Sequence, residues 1–158
     1  MKMTEQSRIL IIDDQENIRE SLKLALEKEG YLVETAENGQ EAIRKSKEQF
    51  YNMALVDLRL PDMDGIELLT KMRETVPEMV KIIITGYPML ENAIEAVNRG
   101  ADGYVVKPVN MNKLLETVEE HLKKQQEAKK YSELKVKEFI ETRVEEYDSG
   151  ASAKRSLK

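Results

Sequence analysis

Short runs of apolar residues alternate along the chain with longer stretches in which apolar residues recur every three or four positions. The apolar runs lie near residues 8–12, 31–35, 53–57, 80–85 and 103–106. Largely apolar runs of this length are typical of parallel strands that are buried on both faces, and the helical stretches between them suit crossover connections. The pattern predicts a (βα)5 chain of the α/β class: a five-stranded parallel sheet in a doubly wound, three-layer sandwich.

The fourth helical stretch, roughly residues 91–99, illustrates how the buried faces are predicted. Ala93, Ile94 and Val97 recur at helical spacing, so this face is expected to turn toward the sheet. Gly100 follows, and glycine is suited to the left-handed conformation that ends many helices.

The composition changes beyond about residue 125, where the chain becomes rich in charged residues. We expect residues 1–7 to form an N-terminal tail and residues 8–125 to form the folded domain. Residues 126–158 are expected to form a charged helical extension or linker, with a disordered tail from Asp148 that has little apolar content to stabilise it.

The overall composition of the 158 residues, with 41% hydrophobic and 35% charged positions, is that of a globular protein. The formal net charge of -5 gives no support to nucleic-acid binding. The chain has no cysteine, which excludes disulfides and thiolate chemistry. Neither a signal peptide nor a membrane span is predicted, so the expected location is the cytoplasm.

Polar residues stand at the C-terminal ends of four of the predicted strands. Asp13 and Asp14 follow the first strand, Asp57 the third, Thr85 the fourth and Lys107 the fifth. In open parallel sheets this edge is where ligands bind, because the strands end there and the loops into the helices begin. Three carboxylates, a hydroxyl and an ammonium in one cleft predict a site that handles phosphoryl groups.

These residues carry a resemblance to a known family. Residues 8 to about 124 resemble the receiver domain of two-component response regulators, the family of the chemotaxis regulator. The matching motifs are Ile-Ile-Asp-Asp, Val-Asp-Leu-Arg-Leu-Pro-Asp-Met-Asp-Gly, Ile-Thr-Gly and Gly-Tyr-Val-Val-Lys-Pro, in this order and each at a strand end. The resemblance implies the flavodoxin-like strand order 2-1-3-4-5.

Asp57 is the candidate phosphoacceptor, because an ionised carboxylate can attack phosphorus and form an aspartyl phosphate. A divalent cation is needed to neutralise the carboxylates before an anionic donor approaches, and Mg²⁺ prefers such hard oxygen ligands. The resemblance implies Asp14, Asp57 and the backbone carbonyl of Arg59 as Mg²⁺ ligands, with Asp13 acting through water. Lys107 is expected to pair with a phosphoryl oxygen, and with Asp57 before phosphorylation.

The resemblance also implies a conformational switch and two residues that set the rate at which the phosphoryl group is hydrolysed. Phosphorylation would draw the Thr85 hydroxyl toward the phosphoryl group and let the Tyr104 ring move inward, which changes the surface of the fourth helix, fifth strand and fifth helix. Arg59 and Tyr87 are expected to flank the phosphoryl group and slow its hydrolysis. Alternatively, Arg59 only pairs with a surface carboxylate.

The function predicted by the resemblance is a phosphoacceptor signalling module, not an enzyme with turnover. Its expected partners are a sensor histidine kinase or phosphotransfer protein, and a downstream protein or an output domain absent from this sequence. A homodimer could form through the face described above or through the C-terminal helix. A haloacid dehalogenase type phosphatase is disfavoured, because that class needs a second Asp where Arg59 stands. A receiver-like scaffold that is never phosphorylated would usually have lost one of the key groups.

Overall fold

A computed structural model describes residues 6–156 of the chain, with side chains up to residue 143. The strands are β1 (Arg8–Ile12), β2 (Leu32–Ala36), β3 (Met53–Asp57), β4 (Val80–Thr85) and β5 (Gly103–Val106). The helices are α1 (Glu16–Lys28), α2 (Gly39–Glu48), α3 (Gly65–Lys71), α4 (Leu90–Asn98) and α5 (Met111–Ser156).

The five strands form one parallel sheet in the order β2-β1-β3-β4-β5. This confirms the predicted α/β class, the strand order and the C-terminal helix. Every residue of β3 and β4 is buried, as expected for strands that are covered by helices on both faces. Four of the five predicted strands have the observed bounds, and β2 begins one residue later than predicted.

Two hydrophobic cores lie on opposite faces of the sheet, because successive side chains of a strand alternate between its faces. Ile9 and Ile11 of β1 belong to the core that α1 and the first turns of α5 cover. Leu10 and Ile12 belong to the other core, together with residues of α2, α3 and α4. This is the three-layer sandwich that the apolar pattern predicts.

The prediction for the buried face of α4 is wrong. Ile94 is 53% exposed and Val97 is 66% exposed, whereas the buried residue of this helix is Ala96. Small residues let the helix approach the sheet closely, and the larger apolar side chains then lie on the outer face. Gly100 has a φ angle of +100°, which agrees with its predicted place at the end of the helix.

The chain divides after Leu122 into two compact units, Met1–Leu122 and Lys123–Lys158. The first contains the sheet, and the second is helical up to Ser156. The predicted domain boundary at residue 125 stays a prediction. The disordered tail predicted from Asp148 also stays a prediction: the backbone of α5 continues to Ser156, and the side chains beyond residue 143 lie outside the described part. Residues 1–5 of the predicted N-terminal tail are also outside it.

Within the described residues, no helix combines the length and the apolar character that crossing a membrane requires.

Candidate functional site

The C-terminal edge of the sheet gathers the polar residues that end the strands. Asp57 is the last residue of β3 and lies opposite Ile84 of β4, so Thr85 stands one residue further along the same edge. The backbone N–H of Lys107 donates to the carbonyl oxygen of Thr85 at 2.7 Å, which extends the β4–β5 pairing to the lysine. Strand register alone therefore brings the predicted groups of β3, β4 and β5 to one place.

Lys107 contacts the carboxylates at the C-terminal ends of two different strands, β1 and β3. Its ammonium nitrogen lies 3.1 Å from Asp13 Oδ2 and 3.6 Å from Asp57 Oδ2. The pairing with Asp57 is the one expected from the sequence, and the nearer contact with Asp13 is an addition to it. The Lys107–Pro108 peptide bond is cis.

Three carboxylates converge around this lysine. Asp13, Asp14 and Asp57 each offer an oxygen, and these oxygens lie within 4.8 Å of one another. Asp13 and Asp57 are buried, whereas Asp14 is exposed and faces the solvent. Burial raises the pKa of Asp57 above its usual value; the negative charge of Asp13 adds to this, and Lys107 opposes it.

The donor set fits a hard divalent cation. It consists of carboxylate oxygens, which Mg²⁺ and Ca²⁺ prefer, and contains no sulfur or imidazole ligand. One lysine balances only part of the charge of three carboxylates, so a cation would relieve the remaining repulsion. Because Asp14 is exposed, the site can be reached from solvent.

Thr85 and Tyr104 differ in how they relate to this cluster. The Thr85 side chain is buried, and its Oγ1 accepts a hydrogen bond of 2.9 Å from the backbone N–H of Tyr87. Tyr104 lies opposite Ile83 and packs against the core on the α2–α3–α4 side of the sheet. Its hydroxyl is buried and has no hydrogen-bond partner among the described residues.

Comparison with known proteins identifies the family of this site. The sequence model described as "Response regulator receiver domain" matches residues 9–119, which is more than half of the chain. The chain belongs to the response regulator receiver family. This confirms the resemblance that the strand-end motifs indicate.

Solved structures of receivers agree with this assignment. A CheY-like response regulator receiver domain from Methanospirillum hungatei is 47% identical, with a TM-score of 0.75 over 78% of this chain and 99% of that chain. The response regulator TrrA from Thermotoga maritima, solved in complex with Mg²⁺ and BeF, is 36% identical with a TM-score of 0.66, covering 73% of this chain and 99% of that chain.

A curated relative extends beyond this sequence. The transcriptional regulatory protein SrrA of Staphylococcus aureus is 37% identical over 146 residues, which is 92% of this chain and 60% of SrrA. The chain thus spans about three fifths of the length of that relative.

In this receiver, Arg59 and Tyr87 are in direct contact beside the carboxylates. The guanidinium carbon of Arg59 lies 3.7 Å from the centre of the Tyr87 ring. The Arg59 backbone N–H donates to Asp57 Oδ1 at 3.4 Å, so this residue is joined both to the phosphoacceptor candidate and to the loop after β4. Such stacking is worth on the order of 0.5–1 kcal/mol at an exposed position.

Two polar residues near the site escaped the sequence analysis. Arg19 of α1 donates from Nη1 to the backbone oxygen of Asp13 at 2.8 Å. Asp62 accepts from the backbone N–H groups of Gly39 and Gln40 at the start of α2. Neither residue lies at a strand end, which is the feature that predicts the other site residues. For Asp62, the available signal in the sequence is its position five residues after Asp57.

Proposed function

We propose that this receiver accepts a phosphoryl group on Asp57 from a phosphohistidine of a sensor kinase or phosphotransfer protein, in the presence of Mg²⁺. The observation that carries this proposal is the contact of Lys107 with both Asp13 and Asp57, inside a cluster of three carboxylates. A structural ion pair needs only one carboxylate, so the two unbalanced ones call for a cationic ligand.

In the proposed reaction, a carboxylate oxygen of Asp57 forms a bond to phosphorus while the phosphorus–nitrogen bond of the donor breaks. The electron pair of that bond stays on the imidazole nitrogen, which takes up a proton. Bound Mg²⁺ would supply charge neutralisation for the phosphoryl oxygens. We assign its ligands as Asp14, Asp57 and the Arg59 backbone carbonyl, with Asp13 acting through water.

Lys107 and Thr85 would bind the remaining phosphoryl oxygens. The lysine acts as a point charge, and the Thr85 hydroxyl can still donate while its oxygen accepts from the Tyr87 N–H. As a receiver domain, the chain is a signalling module and not an enzyme with turnover. Its own groups would assist both the gain and the loss of the phosphoryl group.

We propose that Thr85 and Tyr104 transmit the phosphorylated state. Movement of Thr85 toward the phosphoryl group would free space beside the Tyr104 ring. The buried and unpartnered Tyr104 hydroxyl supports a second ring position, because an unsatisfied polar group in a core raises the free energy of the state that contains it. The two positions would give α4 and β5 different outer surfaces.

The outer face of α4 and β5 is a suitable surface for a protein partner. The exposed residues Leu90, Ile94 and Val97 form one stripe along α4, and Val106 of β5 is 45% exposed. Apolar stripes of this kind are typical of interaction sites. We propose this face for a downstream partner or a second copy of the chain, with the C-terminal helix as the alternative dimer contact.

The phosphoacceptor role is tested by incubating the full chain with Mg²⁺ and acetyl phosphate, followed by intact mass measurement. The wild type should form a labile phosphoryl adduct, and Asp57→Ala should form none. Glu20→Ala, which removes an exposed carboxylate of α1, is the matched control and should react like the wild type. Absence of an adduct in the wild type at every Mg²⁺ concentration would support the scaffold alternative.

The oligomeric state of the unphosphorylated protein is measured by size-exclusion chromatography after addition of Mg²⁺ and beryllofluoride. A Mg²⁺-dependent shift to a larger species that Ile94→Asp abolishes would support dimerisation through the α4 face. An unchanged shift in that variant would favour the C-terminal helix instead.

Arg59 and Tyr87 are proposed to shield the acyl phosphate from water, since their side chains stack beside Asp57. The double variant Arg59→Asn with Tyr87→Ala should lose its phosphoryl group faster than the wild type. Equal rates of loss, measured after removal of the phosphodonor, would leave Arg59 with the weaker role of a surface charge.

A further inference from the structure

The loop between β3 and α3 carries the backbone that follows Asp57. Several contacts hold the loop to itself. The Gly65 N–H donates to the Leu58 carbonyl at 2.7 Å, Arg59 and Asp64 form an antiparallel bridge, and Asp64 accepts from the Ile66 N–H at the start of α3. The residues between Leu58 and Gly65 therefore form a closed loop of defined shape.

Asp62 joins this loop to another helix. Its Oδ1 accepts from the Gly39 N–H at 2.8 Å, and its Oδ2 accepts from the Gln40 N–H at 2.9 Å. Both N–H groups belong to the first turn of α2, where backbone donors have no partner within the helix. Desolvation alone would raise the pKa of Asp62, but the hydrogen bonds to its carboxylate outweigh that effect and lower the pKa, so the ionised side chain suits the positive end of the helix dipole.

The start of α2 is a firm anchor for this contact. Asn38 caps the helix by accepting from the Glu41 N–H at 2.8 Å, and Ala42 and Ser46 are buried in the sheet-facing side. A side chain at Gly39 would overlap that of Met63, the neighbour of Asp62, so the helix and the loop also approach each other closely at this point.

The same loop contains the groups on which the proposed cation site depends. Asp57 precedes it, and Arg59, whose carbonyl we assign as a ligand, lies in the Arg59–Asp64 bridge. A carbonyl has no conformational freedom of its own, so its direction is set by how the loop is held. The hydrogen bonds of Asp62 to α2 fix the loop two residues before Asp64, the residue that pairs with Arg59.

We propose that Asp62 is a positioning residue for the phosphoacceptor site, which fastens the β3–α3 loop to the N-terminus of α2 and so holds the Arg59 carbonyl in place for the cation. This inference rests on the proposed function for the identity of the site. It assigns to Asp62 no contact with the cation or the phosphoryl group.

The test measures the apparent Mg²⁺ dissociation constant of the unphosphorylated full chain by calorimetric titration. Asp62→Ala should raise the constant about 3- to 10-fold, which lies within the range spanned by the loss of a helix N-terminal cap. Asp62→Asn, which keeps one acceptor but loses the charge, should give an intermediate value. Glu20→Gln, an exposed charge change on α1, should match the wild type.

If Asp62 had a purely structural role, its substitution would lower the thermal unfolding midpoint. The Mg²⁺ dissociation constant would then stay unchanged at temperatures where every variant is folded. Equal constants for the wild type and both Asp62 variants, measured under those conditions, would overturn the inference. The acetyl phosphate experiment decides the proposed function separately. If the wild type bound Mg²⁺ but formed no adduct, phosphoacceptance would fail, and the ratio of the Mg²⁺ constants would still decide the role of Asp62.

Discussion

Replacing Asp57 by Asn should make the metal-free protein more stable, although it removes the phosphoacceptor. Asn has the same shape as Asp, and its side-chain oxygen can still accept from the Arg59 N–H. The change removes one of three carboxylates that crowd a largely buried cluster. Lys107 keeps its nearer partner, Asp13, at 3.1 Å and is not left unpaired.

The expected gain follows from the distances in the cluster. With an effective dielectric constant of about 20, Asp13 at 4.8 Å or less repels Asp57 by about 3.5 kcal/mol or more. The exposed Asp14 adds about half of that, because water screens it more strongly. Attraction by Lys107 at 3.6 Å is about 4.6 kcal/mol. Repulsion therefore slightly exceeds attraction even before the cost of burial, and Asp57→Asn should raise the free energy of unfolding by about 1–2 kcal/mol.

The pH dependence of this gain has a definite sign. The folded-state pKa of Asp57 is raised above its ordinary 3.8, so the ionised carboxylate lowers stability at all pH values above the folded pKa. As the pH falls through that raised pKa, folding favours uptake of a proton and the penalty declines. The difference between the variant and the wild type should therefore be largest at neutral pH and disappear below about pH 3.8, the ordinary pKa.

The assay is urea unfolding in EDTA, followed by far-UV circular dichroism and tyrosine fluorescence to establish that one transition is observed. Glu20→Gln is the control and should change the free energy of unfolding by less than about 0.5 kcal/mol. Mg²⁺ at 100 times its dissociation constant should stabilise the wild type by about 2.7 kcal/mol and the variant by less, which reduces or reverses the difference. A less stable Asp57→Asn in EDTA at neutral pH would refute the electrostatic reasoning.

Two further substitutions test other parts of the proposal. Tyr104→Phe removes a buried hydroxyl without a partner among the described residues, so the free energy of unfolding, measured by thermal unfolding, should rise by about 0.5–1 kcal/mol. A lower free energy of unfolding would mean that the hydroxyl has a partner in solution. Gly65→Ala places a methyl group against the backbone oxygen of Asp57, and the backbone cannot move aside as a side chain can, so the free energy of unfolding in urea should fall by about 3 kcal/mol. A variant as stable as the wild type would show that the loop can shift at this point.

The strands were predictable because the sheet is covered on both faces, whereas their order was predicted from the resemblance to receiver domains. A parallel strand in this position is apolar at most of its residues, so its sequence differs from that of the amphipathic helices around it. The runs at 53–57 and 80–85 are the clearest cases, and the structure assigns the same bounds to β3 and β4. The bounds of β2 were predicted one residue too early, because that strand lies at the sheet edge and only two of its five residues are buried.

The site was predictable only where strand ends determine it. Asp13, Asp57, Thr85 and Lys107 lie at the ends of neighbouring strands, and register brings them together whatever the loops do. The Asp62 contact depends instead on the path of an irregular loop past a helix end. The Asp62 carboxylate accepts from Gly39 and Gln40, which precede it in the sequence by 23 and 22 positions. No periodic feature of the sequence encodes a contact at such a separation.

The prediction of which face of α4 is buried failed for a different reason. That reason also bears on how the proposed signal would reach a partner. Helical spacing shows that apolar residues share a face, but it does not show which face contacts the sheet. Ala93 and Ala96 form a second stripe of small residues, and Ala96 is buried where larger side chains would hold the helix away from the core. A helix seated on small residues buries little apolar area against the sheet, so the change that we propose at Thr85 and Tyr104 would have little packing to overcome in shifting α4. The same arrangement leaves Ile94 and Val97 exposed on the outer face, where a partner of the kind we propose would contact them and sense that shift.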